Sequence, residues 1–98
     1  MKVYISGAIT NNPEAKQQFD DAKQTLLDLN KDYQPISPMD LPHKHDLTWQ
    51  SFMREDIKAL MDSDGIYLIE GWQRSIGARI EKDLAESLNM KIIYELKV

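Results

Sequence analysis

Gly65-Ile66-Tyr67-Leu68-Ile69 is an apolar run with polar residues on both sides, Ser63-Asp64 before it and Glu70-Gly71 after it. A β-branched and aromatic run this short reads as a buried strand. Toward the carboxyl end, Glu70-Gly71-Trp72-Gln73-Arg74-Ser75 is a loop. Ile76 to Asn89 then reads as a helix with Ile80, Leu84 and Leu88 on one face. Lys91 to Leu96 follows as a strand built on Ile92, Ile93 and Tyr94. Toward the amino end, Thr48 or Asp46 starts a helix whose apolar face is Trp49, Phe52, Met53, Ile57, Leu60 and Met61. Ser37 to Thr48 is a polar loop holding both histidines, longer than most connections. Tyr33 to Ile36 is a short strand, limited by Pro35 and Pro38. Phe19, Ala22, Leu26 and Leu29 recur at helical spacing, which predicts a helix over about Pro13 to Asn30, with Asn12 as its cap and Pro13 in its first position. Val3 to Ile5 is the opening strand, ending at Ser6-Gly7.

The order is β-α-β-α-β-α-β. Such alternation predicts an α/β fold: a doubly wound, flavodoxin-like parallel sheet of about four strands with three helices and right-handed crossovers. The expected strand order is 2-1-3-4. The chain then reverses direction between the first and third strands, and ligands bind at such a switch point, outside the carboxyl ends of the strands. Ser6-Gly7-Ala8-Ile9-Thr10 and Glu70 to Ser75 should meet there.

Composition narrows the possible functions. With 98 residues the chain is read as one domain over 1–98. Hydrophobic residues at 42% and charged residues at 29% suit a globular protein rather than a disordered one. The net charge of −4, with basic residues scattered, argues against a nucleic acid polymer as partner. The absence of cysteine removes disulfides, thiolate zinc and thiol catalysis together. No segment approaches the ~20 apolar residues of a membrane span, and the first apolar run is too short for a signal peptide. A soluble, cytoplasmic protein is expected, and the thin core available at this size makes a homodimer the expected assembly.

Few motifs carry chemistry. GxGxxG and Walker patterns are absent. The third helix opens Ser75-Ile76-Gly77-Ala78 with Glu81 one turn in. Its free N–H groups suit an anion, Ser75 adds a hydroxyl, and Gly77 permits close approach. Ser75 acting only as a helix cap, with Glu81 on a solvated face, accounts for the same pattern. Asp56 stands at the edge of the second helix's apolar stripe, either a surface charge or a group turned toward Gly7. Trp72 either stacks on a base or caps the core. His43 and His45 bracket Lys44 without a third ligand, so no metal and no cofactor is expected.

Tyr4-Ile5-Ser6-Gly7, then Arg54-Glu55-Asp56 leading to Asp64-Gly65-Ile66, then Ser75-Ile76-Gly77-Ala78-Arg79-Ile80-Glu81 with Ala85 together resemble the nucleoside 2-deoxyribosyltransferase superfamily. The likeness covers nearly the whole chain and is strongest to a short branch common in phages, where Gly-Trp precedes Ser-x-Gly-Ala-x-x-Glu. The resemblance implies cleavage or transfer at the N-glycosidic bond of a (deoxy)nucleoside or its 5′-monophosphate. It implies Glu81 as nucleophile at C1′, Asp56 as the assisting carboxylate, and Tyr4 as the residue that orients Glu81. It implies a sugar lying against Gly7, Ala8 and Ile9, with Trp72, Ser75 and Gly77 as further contacts. Ser75 matches the 2′-deoxynucleoside 5′-phosphate N-hydrolases, where transferases of unphosphorylated nucleosides carry Asp. Ala8 stands where those hydrolases carry Ser, and the chain ends at Val98, short of the segment a neighbouring subunit supplies in both groups. The alternative is therefore a non-catalytic binder of a nucleotide-derived ligand.

Overall fold

Side chains of the first strand alternate between two cores. In the computed structural model, which describes residues 1–41 and 48–96, Lys2–Ser6 form strand β1. Val3 and Ile5 face one side of the sheet, and Tyr4 and Ser6 the other, as the two-residue period requires. Helix α1 (Ala15–Leu29), strand β2 (Gln34–Ile36), helix α2 (Trp49–Met61), strand β3 (Gly65–Leu68), helix α3 (Ile76–Ser87) and strand β4 (Lys91–Tyr94) follow in that order. Single 3-10 turns at Pro38–Asp40 and Trp72–Arg74 were not expected. All strand pairs are parallel and the order is β2-β1-β3-β4, so the α/β architecture and the 2-1-3-4 order are as anticipated.

Phe19, Ala22 and Leu26 of α1 pack on Val3, Ile5, Tyr67 and Ile69 to form one core layer. On the opposite face, Leu60 of α2 and Ala85 of α3 pack on Tyr4, Ile66 and Leu68. Side chains cap both of these latter helices: Thr48 accepts from Ser51 N at 3.2 Å, and Ser75 accepts from Ala78 N at 3.1 Å. No helix among the described residues is long and apolar enough to cross a membrane.

Several boundaries and faces differ from expectation. Helix α1 begins at Ala15, and Asn12 does not cap a helix starting at Pro13. The Asn12 amide instead donates to the Ala8 carbonyl at 2.8 Å and accepts from Glu14 N at 3.2 Å, folding the loop back on itself. Tyr33 stays out of β2 because its N–H bonds the Asn30 carbonyl in the preceding turn. Strand β4 stops at Tyr94, opposite the last residue of β3. Leu29, the last residue of α1, is exposed.

The helix faces are the larger correction. Ile80 and Leu88, expected in the core, are 41% and 46% exposed, and Ile76 is 61% exposed. The buried line of α3 is Ala78, Glu81 and Ala85, with Leu84 half-buried. Small side chains let α3 lie close on the sheet, and the bulky stripe is turned aside. Helix α2 behaves similarly: Ser51, Met53, Asp56 and Leu60 are buried, whereas Trp49 and Met61 are exposed.

Two glycines set these close approaches. A Cβ at Gly7 would lie 3.0 Å from the Cβ of Ile69, so a side chain there would crowd the turn of β1 over β3. A Cβ at Gly77 would meet the Met53 sulfur at 2.9 Å, the movable tip of a flexible side chain. Gly7→Ala should therefore destabilise the fold by about 1–3 kcal/mol, the range for overpacking. Gly77→Ala should be near neutral, because Met53 can move and Ala gains up to ~1 kcal/mol of helix propensity. Urea unfolding midpoints of the two variants check this ranking, and equal losses would contradict it.

Candidate active site

The carboxyl edge of the sheet carries a cavity of about 520 Å³. Its back wall is the exit of β1, with Tyr4, Gly7, Ile9 and Thr10. Helix α3 contributes Ser75, Gly77, Ala78 and Glu81. Helix α2 leans over it with Trp49, Phe52, Met53 and Asp56, and Pro38 and Met39 close the remaining side. The site lies beside the β1/β3 switch, where the fold concentrates strand ends and helix starts.

At its base sits a carboxyl group shut away from water. Glu81 is 4% exposed and Asp56 7%, while Tyr4 and Ser6 are fully buried. The Tyr4 hydroxyl donates to Oε2 of Glu81 at 2.7 Å, and the Ser6 hydroxyl donates to Oε1 at 2.7 Å. Both distances suit charge-assisted bonds to a carboxylate. Burial pushes the Glu81 carboxyl up to about 7, against the downward pull of the Ser6 and Tyr4 bonds, and the Asp56 charge adds to the rise. The Tyr4 phenol is held well above its ordinary range, first by burial and then by the charges of Glu81 and Asp56, so it remains a donor. Among the described lining residues the only charged side chains are these two carboxylates, set in a largely apolar wall. Such a site can stabilise positive charge developing on a bound ligand, and an ionised Glu81 can attack it.

Tyr4, Gly7, Ile9, Asp56, Ser75, Gly77 and Glu81, all singled out from the sequence, come together around this cavity. Ala8 and Trp72 do not. Ala8 lies outside the wall and offers its carbonyl to Asn12. Trp72 packs on the α3-side core with its ring 6.3 Å from that of Tyr94, so here it caps the core. Gly7 and Gly77 line the cavity; a side chain at Gly7 would crowd Ile69, whereas one at Gly77 would meet only the movable tip of Met53. Ser75 serves both readings, its hydroxyl capping α3 while the residue borders the cavity. His43, His45 and Asp46 lie outside the described residues.

Sequence reasoning placed Ser6 and Thr10 at the switch point without giving either a role, missed Pro38 and Met39, and read Trp49, Phe52 and Met53 as core. For Ser6 a signal existed: in a strand, position six faces the same way as position four. For Trp49 and Phe52 there was none, because an apolar helix face looks the same whether it covers a sheet or a cavity.

A family model described as "Domain of unknown function (DUF4406)" matches residues 1–94. No curated protein matches the chain. Among solved structures, the chain is similar to a 2-deoxyribosyltransferase from the psychrotolerant bacterium Bacillus psychrosaccharolyticus, with a TM-score of 0.72 and 18% identity, covering 100% of this chain and 77% of that one. At that identity the likeness shows a shared fold.

The raised Glu81 value has a consequence for stability. The folded state keeps this proton up to about pH 7, whereas the unfolded chain loses it near the ordinary 4.5. Between those values the folded state binds more protons, so this group's contribution makes stability fall as pH rises, by about 3 kcal/mol in all. Glu81→Gln cannot titrate and should gain on the wild type across the same interval. Denaturant unfolding of both proteins at pH 5 and pH 8 checks it, and a stability difference independent of pH would contradict it.

Proposed function

The chain belongs to the DUF4406 family, and we propose that it cleaves or transfers the N-glycosidic bond of a (deoxy)nucleoside or its 5′-monophosphate, with Glu81 as nucleophile. One observation carries this reading: a buried carboxyl on a cavity wall, each of its oxygens held by a hydroxyl of β1. The shared fold with a 2-deoxyribosyltransferase supports it.

In this mechanism the base lies against the apolar wall near Trp49 and Phe52, and C1′ faces Glu81. As the C1′–N bond lengthens, the sugar takes on oxocarbenium character, which the two carboxylates stabilise. An oxygen of Glu81 bonds to C1′, and the departing base leaves with the bond's electron pair and takes a proton from water. A water molecule or a second base then attacks C1′, passes its proton through the Asp56 carboxylate to the hydroxide left by the first half, and frees Glu81, as in retaining glycosidases. Ser75, at the start of α3, supports a phosphate on the sugar, since its hydroxyl joins a helix start already suited to anions.

Self-association belongs to the same reading. Ile76, Ile80 and Met61 are bulky apolar side chains the sheet leaves uncovered. Trp49 and Met53 line both the cavity and the groove beside Ile80, so a second copy seated there would border the site. Sedimentation should give a dimer mass that Ile80→Glu lowers to a monomer, and a monomeric wild type would count against this part.

Incubation with a panel of deoxynucleosides and their 5′-monophosphates, followed by chromatography, should release free base. Which arm reacts assigns the phosphorylation state. Glu81→Ala should reduce release by at least about a thousandfold, and Asp56→Asn by about a hundredfold or more. The value of kcat/KM should drop about tenfold per pH unit below about 7, as Glu81 takes up its proton, and flatten above it. Undiminished turnover by Glu81→Ala would remove the mechanism. A thermal shift with the same panel but no base release would favour the binder.

A further inference from the structure

Ser6 is the last residue of β1, and its backbone is held against β3. It pairs with Leu68 in β3, and its carbonyl accepts from Ile69 N at 2.9 Å. The residue is fully buried and does not line the cavity, yet its hydroxyl reaches Oε1 of Glu81 at 2.7 Å. Tyr4, which holds Oε2, does line the cavity. The two oxygens of Glu81 are therefore not equivalent. Oε1 is held from the protein interior, and Oε2 shares its donor with the cavity wall.

We propose that Ser6 is a positioning residue that keeps its bond to Oε1 through the whole reaction, leaving Oε2 as the atom that attacks C1′. This rests on the glycosyl-transfer reading above. In the first half, the C1′–Oε2 bond forms as the C1′–N bond breaks, and the base carries off the electron pair. Oε1 becomes the carbonyl oxygen of the glycosyl ester, still accepting from Ser6. In the second half, an acceptor oxygen or nitrogen bonds to C1′, the C1′–Oε2 bond breaks, and its electron pair returns to the carboxylate. A donor on Oε1 withdraws electron density from the ester and stabilises the departing carboxylate. Ser6 therefore matters more for releasing the sugar than for capturing it. Tyr4 loses its charged acceptor when Oε2 is esterified, so it acts on the opposite side of the same balance.

The groups acting on the charge of Glu81 are Ser6 and Tyr4 from β1 and Asp56 from α2, while β3 turns only Ile66 and Leu68 to this side. Ser6→Ala changes one hydroxyl and almost no volume, and Ser6→Cys restores a weak donor.

The test compares wild type, S6A and S6C in two ways. The first needs no turnover: the midpoint at which Glu81 titrates is read from the pH dependence of stability, each protein against its own Glu81→Gln form. S6A should move the midpoint upward and S6C should fall between, because the Ser6 bond favours the ionised form. An unmoved midpoint overturns the proposal whatever the enzyme does. The second is rapid quench with a substrate from the panel. S6A should show a burst of base close to that of the wild type, then a steady state slower by roughly ten- to a hundredfold. Intact-mass spectra should show the glycosyl adduct accumulating, and peptide mapping should place it on the peptide that carries Glu81. Equal slowing of burst and steady state, with no adduct, would reduce Ser6 to a structural role. A shifted midpoint in a protein that releases no base would instead remove the glycosyl-transfer reading and leave Ser6 as the group that holds Oε1.

Discussion

A carboxyl group withdrawn from water must be given donors or surrender its charge, and at Glu81 both pressures act at once. Burial pushes the proton on, while the hydroxyls of Tyr4 and Ser6 pull it off. Neither donor could be supplied by α3 itself. They come from the neighbouring strand, two residues apart, because alternate side chains of β1 face the same helix. The arrangement holds only if α3 lies close to the sheet. Ala78 and Ala85, on either side of Glu81 along the buried line, keep it there.

That close approach explains the rest of the architecture. A helix seated on alanines cannot also bury a stripe of isoleucine and leucine, so Ile76, Ile80 and Leu88 are left exposed. Helix α2 divides its length between two tasks. Leu60, near its end, completes the core, and Trp49, Phe52, Met53 and Asp56, nearer its start, stand over the cavity. The start of α2 forms one wall of the cavity, and the glycine at position 7 lets β1 turn without displacing Ile69.

The geometry also ties function to a stability penalty. Removing two carboxylates from solvent destabilises the native state near neutral pH, and the fold tolerates this because each is anchored on a helix packed against apolar strands. Sites that stabilise developing positive charge are commonly built this way, from acids held where water cannot screen them. In the proposed reaction the acidic pair and the apolar wall divide the ligand between them: a cation-like centre near Glu81 and an aromatic portion near Phe52 and Trp49.

The order of elements, the parallel sheet and the 2-1-3-4 arrangement followed from local patterns alone: Gly65 to Ile69, the helical spacing of Phe19, Ala22 and Leu26, and the breaks between them. The switch point, and with it the meeting of Tyr4, Asp56, Ser75 and Glu81, followed from that topology and from a family resemblance, because chain direction dictates where strand ends gather. Ser6 was within reach of the same logic. Periodicity could not say which side of an amphipathic helix meets the sheet. On α3 it favoured Ile80 and Leu88, and packing chose Ala78, Glu81 and Ala85. Nor could it tell Trp72 as a core cap from Trp72 as a ligand contact. Those choices depend on how closely two surfaces approach, which is a property of the assembled layers and of residues distant in the chain, such as Met53 against Gly77 and Ile69 against Gly7.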